Sequence, residues 1–174
     1  MFVKGISDRI IVKSVAHLMA VGLDRCGVSI VALNGSGGFK AGIRLFGPAG
    51  LGVRILGLVD EKEQSDPAVA LGVSTTDLLA NDILTCYEDL EDEYVTSLGV
   101  ADTVAVLIGS GLFSEAGLVA ATGAMDAPSI DCTSLIDFAR RNKVEAAGAL
   151  ARGMSKDQAV KLTTVVELIN RATS

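Results

Sequence analysis

Short apolar runs alternate with stretches of helical periodicity over the first hundred residues of the chain. Between the first two runs, apolar side chains after Asp8 recur at the spacing of a helix, at Ile11, Val15, Leu18 and Met19. Strands separated by helices imply right-handed crossovers, and so a parallel sheet with helices on its faces. The pattern predicts an α/β fold with about four mainly parallel strands, at residues 1–4, 27–33, 53–59 and 83–87.

The remainder of the chain is alanine-rich and has mainly helical patterns. Ser155 and Gln158 have the spacing of a capping box at a helix start. We therefore expect a domain over residues 1–100 and a helical C-terminal extension over residues 101–174 that packs on it.

Charge and composition exclude some functions. The 174 residues carry a net charge of −6, which argues against coating nucleic acid by bulk electrostatics. Aromatic residues make up only 4%, too few for platforms on which single-stranded bases stack. The apolar runs are too short to span a membrane, and the start of the chain has no secretory pattern, so a cytoplasmic protein is expected.

Acidic residues follow the predicted strands. Asp60 and Glu63 end the third strand, Glu91 follows the fourth, and Asp8 follows the first. Carboxyl ends of parallel strands meet at one edge of a sheet, so these acids should converge there. Clustered carboxylates repel one another unless protons or a cation such as Mg²⁺ or Mn²⁺ neutralise them. The alternatives are solvated loop residues at Asp60 and Glu63, and a helix N-cap at Asp8.

A glycine-rich turn, Asn34–Gly38, joins the second strand to a helix that carries Lys40. Backbone N–H groups of such a turn can hold a phosphate, with Lys40 near enough to help. The spacing matches neither the P-loop nor the dinucleotide fingerprint. A plain flexible turn is the alternative, because glycine is a usual turn residue.

The order of these motifs resembles the Toprim domain, and most closely the Toprim module of the overcoming-lysogenization-defect (OLD) nucleases. The resemblance covers roughly residues 1–100, and its motifs are Val3-Lys4-Gly5-Ile6-Ser7-Asp8, Gly27-Val28-Ser29-Ile30-Val31, Gly57-Leu58-Val59-Asp60 and Asp89-Leu90-Glu91-Asp92-Glu93. It implies a Rossmann-like Toprim fold, binding of Mg²⁺ or Mn²⁺, and phosphodiester cleavage or nucleotidyl transfer on nucleic acid, DNA more than RNA.

Residue by residue, the resemblance assigns Asp8, Asp60 and Glu91 to acidic positions of the family pattern. Lys4 stands where the family has its leading Glu, and Lys62 where it has the second Asp of an Asp-x-Asp pair. Glu63 or Glu61 would then replace the missing carboxylate. The expected metal ligands are therefore Asp8, Asp60, Glu63 and Glu91.

Lys4, Asp8 and Asp60 are the expected catalytic residues, and Lys40 and Lys62 the expected phosphate contacts. Lys4 could neutralise the acidic pocket, meaning the pocket that Asp8, Asp60, Glu63 and Glu91 are expected to form. It could also contact a phosphate, or donate a proton from a lowered pKa. A charged strand end facing water is the alternative for this lysine.

Two functions, and a weaker third, follow. The leading hypothesis is Mg²⁺- or Mn²⁺-dependent cleavage of nucleic acid or nucleotidyl transfer, in which a metal polarises a phosphoryl oxygen. The second is a catalytically reduced Toprim module that acts as a nucleic-acid-binding or regulatory partner, since two lysines replace family carboxylates. The third is a nucleotide-binding domain that uses the Asn34–Gly38 turn without metal. A homo-oligomer is left open.

Overall fold

A computed structural model of the protein describes residues 1–35 and 37–174. Its four strands form a single sheet in the order β2-β1-β3-β4, and each neighbouring pair is parallel. The predicted α/β fold is therefore confirmed. The strands are β1 (Phe2–Val3), β2 (Val31–Ala32), β3 (Gly57–Asp60) and β4 (Ile83–Cys86).

The strands are shorter than the apolar runs that predict them. Extended backbone nevertheless continues beyond their ends: the N–H of Phe2 donates to the carbonyl of Leu56 at 2.7 Å, and the N–H of Val31 to that of Met1 at 2.9 Å. The runs thus mark extended chain, only part of which forms regular ladder pairing; the second run is not buried, and Val31 in β2 is 39% exposed.

Helices make up most of the rest of the described chain. Within residues 1–35 and 37–174 they are α1 (Ile6–Leu18), α2 (Gly37–Phe46), α3 (Ser65–Leu71), α4 (Leu90–Leu98), α5 (Val100–Gly109), α6 (Glu115–Thr122), α7 (Cys132–Arg141), α8 (Lys143–Gly153), α9 (Lys156–Ala159) and α10 (Thr163–Ala172). In the part that the structure describes, each helix is too short or too polar to cross a membrane.

Alternate strand residues point to opposite faces of the sheet, and each face has its own core. On one face Val3, Leu58 and Leu84 join a large cluster with α1 and the C-terminal helices. On the other face, Phe2 and Val59 pack with α2 and α3. Helices thus cover both faces, as the apolar strands require.

Gly57 lets α2 approach the sheet closely. A Cβ atom at Gly57 would lie 2.7 Å from Cδ1 of Ile83 and 3.0 Å from Cε1 of Phe39. The missing side chain at Gly57 therefore makes room for the buried Phe39 ring of α2 at the start of β3, the strand that ends in Asp60.

Candidate functional site: an acidic pocket with two lysines

Asp8 lies inside α1, in its first turn. The helix begins at Ile6 and Gly5 is its N-cap, so the interpretation of Asp8 as the N-cap is wrong. The carboxylate instead reaches back and accepts a hydrogen bond from the N–H of Gly5 at 2.6 Å. This contact holds the side chain over the end of β1, where it is only 9% exposed.

The surroundings of Asp8 disfavour its charged form. Burial raises its pKa to about 6, and the nearby charges of Glu91 and Asp60 add to the rise, whereas the Gly5 hydrogen bond and Lys143 oppose it. Asp8 is therefore within electrostatic reach of two of the three other acids that the sequence expects at this edge.

Lys4 bridges two of the expected ligands. Its Nζ lies 2.6 Å from Oδ2 of Asp60 and 3.0 Å from Oε1 of Glu63. Burial alone would favour the neutral amine, but hydrogen bonds and charges from these two carboxylates raise the pKa of Lys4 above its usual value. The expectation of a proton donor with a lowered pKa is therefore wrong, and Lys4 is a charged counter-ion.

Glu63 has one carboxylate oxygen to spare. The residue belongs to a 3₁₀ turn, Glu61–Glu63, that follows directly on β3. Its Oε1 contacts Lys4, while Oε2 is buried and has no hydrogen-bond partner in the described structure. A buried carboxylate oxygen without a donor is costly, because water is lost and nothing replaces it.

Glu91 is neutralised by a residue that the sequence reasoning missed. It is 2% exposed in α4, and its Oε2 lies 2.6 Å from Nζ of Lys143 at the start of α8. Burial raises the pKa of Glu91, and the Lys143 contact opposes that rise. The sequence holds no signal that pairs residues 52 positions apart, since the contact depends on how α8 packs against α1.

Arg140 forms a second contact of the same kind. Its Nε donates to Oδ2 of Asp89 at 2.7 Å, and Asp89 also caps α4 by accepting from the N–H of Asp92. Burial would raise the pKa of Asp89, but the Arg140 and Asp92 contacts outweigh it and lower that pKa. The C-terminal helices thus supply two cations to the acidic edge.

The two expected phosphate contacts differ in their surroundings. Lys62 is 76% exposed and forms an ion pair with Glu88, with Nζ and Oε2 2.6 Å apart. Lys40 is exposed on α2 and has no ion pair within the described residues. The predicted phosphate-binding turn, Asn34–Gly38, includes Ser36, which lies outside the described residues.

The donor set does not fit a divalent cation while Lys4 lies among it. Mg²⁺ and Mn²⁺ need several oxygen ligands pointing at one centre. Within residues 1–35 and 37–174, no group of three or more Asp, Glu, His or Cys side chains is arranged in that way. The Lys4 ammonium occupies the space between Asp60 and Glu63 instead, and Lys143 covers Glu91.

Comparisons with known proteins place the fold. No family model matches the chain, and no curated protein matches its sequence. The C-terminal region of the Xanthomonas campestris pv. campestris OLD protein is similar in structure, with a TM-score of 0.70 and 22% identity over 99% of this chain and 91% of that one. The C-terminal region of the Burkholderia pseudomallei OLD protein gives 0.70 and 21% over 99% and 96%. The resemblance to the OLD-type Toprim module is confirmed at the level of the fold.

Proposed function

We propose that this chain is an OLD-type Toprim module that acts at nucleic acid as a binding or regulatory partner, and that Lys4 has replaced metal-dependent catalysis in its acidic pocket. The observation that carries the proposal is the bridge from the Lys4 ammonium to Asp60 and Glu63, at 2.6 and 3.0 Å. The fold shared with the OLD C-terminal regions supports nucleic acid as the partner, and DNA is the form to test first.

Lys4 can neutralise the pocket but cannot do the chemistry of a metal ion. Its single positive charge and three N–H donors hold two carboxylates together. It cannot act as a Lewis acid on a phosphoryl oxygen or generate hydroxide from a bound water, which are the roles that metal ions take in phosphodiester cleavage. A pocket that Lys4 neutralises in this way is suited to contacting a partner and to stabilising the fold.

Mg²⁺- or Mn²⁺-dependent cleavage is the second candidate function, and one observation favours it. Among the described residues, Asp60 and Glu63 share Lys4, Glu91 pairs with Lys143, and Asp8 forms no ion pair. Oε2 of Glu63 has no hydrogen-bond partner in the described part of the chain. The pocket therefore keeps surplus negative charge, which a divalent cation would relieve if Lys4 moved away.

Two measurements on four proteins separate the candidates. Wild type, K4E, D60A and K156E are incubated with supercoiled plasmid in Mn²⁺ and in Mg²⁺, and their thermal unfolding is followed with and without Mn²⁺. K156E is the matched control, because it makes the same charge change at an exposed lysine away from the expected metal ligands. We expect no nicking by wild type or K156E, and a larger Mn²⁺-induced rise in Tm for K4E than for either.

Nicking by wild type that D60A abolishes would replace the proposal with metal-dependent cleavage. Equal Mn²⁺ responses of K4E and K156E would show that Lys4 does not keep metal out of the pocket. Plasmid binding by wild type without metal, measured as a mobility shift, tests the nucleic-acid part of the proposal separately.

A further inference from the structure

Charge is divided unevenly between the two halves of the sheet. Residues 1–54 contain seven Lys and Arg and two Asp, a net charge of +5, whereas residues 55–98 contain one Lys and eleven Asp and Glu, a net charge of −10. The first segment forms β1, α1, β2 and α2, and the second forms β3, α3, β4 and α4. With the strand order β2-β1-β3-β4, one half of the sheet is basic and the other is acidic.

Most of the basic half is not neutralised internally. Lys4 and Arg54 form ion pairs with acids of the other half, at Asp60 and Asp82. In the part of the chain that the structure describes, the five other cations of this half form no ion pair; these are Arg9, Lys13, Arg25, Lys40 and Arg44. All of them are exposed except Arg9, which is half-buried.

Four of these cations form two pairs, one on α1 and one on α2. Arg9 and Lys13 are one helical turn apart on α1, and Lys40 and Arg44 are one turn apart on α2, so each pair lies on one side of its helix. The helices cover opposite faces of the sheet and follow its two neighbouring strands, β1 and β2. Strand β2 is the outer strand and is contacted by α1, whereas α2 packs over β1 and β3 and against α3, so the two pairs of cations lie on opposite faces of the basic half.

We propose that the exposed side of α2, with Lys40 and Arg44 one helical turn apart, is the surface that binds the phosphate backbone of nucleic acid. This inference rests on the proposed function and specifies the surface through which it acts. Exposed cations without internal partners release counterions when they meet a polyanion, which is the main source of sequence-independent affinity. An α2 helix that contains no acidic residue offers no competing charge.

The acidic half determines how the polyanion can lie. At physiological salt, charges act over about 8 Å, so phosphates near α2 are attracted locally while those over the β3–β4 half are repelled. The net charge of −6 prevents general coating of nucleic acid, and binding is restricted to the basic half.

A pair of matched double variants tests the surface. K40Q/R44Q removes the two cations of α2. R152Q/K156Q removes an Arg and a Lys at the same spacing, both exposed and without ion pairs in the described structure, at the end of α8 and the start of α9. The probe is a fluorescein-labelled DNA duplex, and its anisotropy is followed at several salt concentrations, with a single-stranded oligonucleotide as a second arm.

We expect K40Q/R44Q to weaken duplex binding several-fold at low salt and to lower the salt slope by about 2, since each phosphate contact contributes about 0.9. R152Q/K156Q should leave both values within error of wild type. Equal losses in the two variants, with wild type binding well, would overturn the surface but keep nucleic acid as the partner. Absence of binding by wild type would instead remove the proposed function. A fall in molecular mass of K40Q/R44Q alone, by light scattering without DNA, would assign the surface to a second copy of the chain and overturn the inference.

Discussion

The Nζ atom of Lys4 lies 2.6 Å from Oδ2 of Asp60, although the two residues are 56 positions apart in the chain. Neighbouring parallel strands carry them: Lys4 follows β1 directly, and Asp60 ends β3. The pair is partly buried, with side chains 32% and 16% exposed. It belongs to a group of partly buried charges, and substitution of Lys4 measures how much the pair stabilises the fold.

Replacing Lys4 by Met should destabilise the fold. Asp60 and Glu63 would face each other and Asp8 without a counter-charge, a cost of about 1–3 kcal/mol, between the values for exposed and for buried pairs. Urea unfolding at neutral pH measures the change. K62M is the control, because the Lys62–Glu88 pair has the same 2.6 Å distance but is exposed to water, and no resolvable change is expected there. Equal effects of the two substitutions would contradict a special role for Lys4.

Removing Lys143 should cost more than removing Lys4. Glu91 is 2% exposed, so K143M would leave a buried carboxylate without its partner, at a cost of about 3–5 kcal/mol. The double variant K143M/E91L should recover a large part of this loss, because both charges are then absent. Chemical unfolding of the two variants measures the difference. A double variant no more stable than K143M would show that α8 is held by packing and not by this ion pair.

Asp8 should make stability depend on pH in the direction opposite to an ordinary salt-bridged acid. Its pKa rises from 3.8 in the unfolded chain to about 6 in the folded one, so between these values the folded state binds more protons. Its contribution to stability is present at low pH and is lost as the pH rises through about 6.

D8N isolates this contribution, because the amide oxygen can still accept from the N–H of Gly5. From pH 4 to pH 7, stability of D8N relative to wild type should rise by about 2–3 kcal/mol, at about 1.4 kcal/mol for each unit of pKa shift. Urea unfolding of both proteins at each pH is the measurement. A difference that stays constant with pH would show that Asp8 titrates at its ordinary pKa.

The sequence predicts the alternation of strands and helices because burial on both faces of a parallel sheet leaves apolar runs that are visible locally. It also predicts acids after three strands, because the carboxyl ends of β1, β3 and β4 meet at one edge. The burial of Asp8 is harder to predict from the sequence, since it depends on the side chain turning back to accept from the N–H of Gly5.

The cations from the C-terminal helices could not be predicted. Lys143 and Arg140 reach Glu91 and Asp89 only because α7 packs against α4 and α8 against α1. These contacts join residues more than fifty positions apart, and neither periodicity nor turn chemistry encodes them. Only the folded arrangement shows that the acidic edge is balanced by distant parts of the chain.

The ion pair between Glu91 and Lys143 limits where this protein can be truncated or fused to another protein. A fragment that ends near residue 100 would contain every acidic motif but would lack Lys143, so the buried Glu91 would have no counter-charge. It would also lack α8, and the surface of α1 that α8 covers would be exposed. Grafting the motif-bearing half onto another protein would therefore need a substitute for Lys143, or a neutral residue at position 91. Because Glu91 and Lys143 neutralise each other, a change of charge at one of these positions requires a matching change at the other.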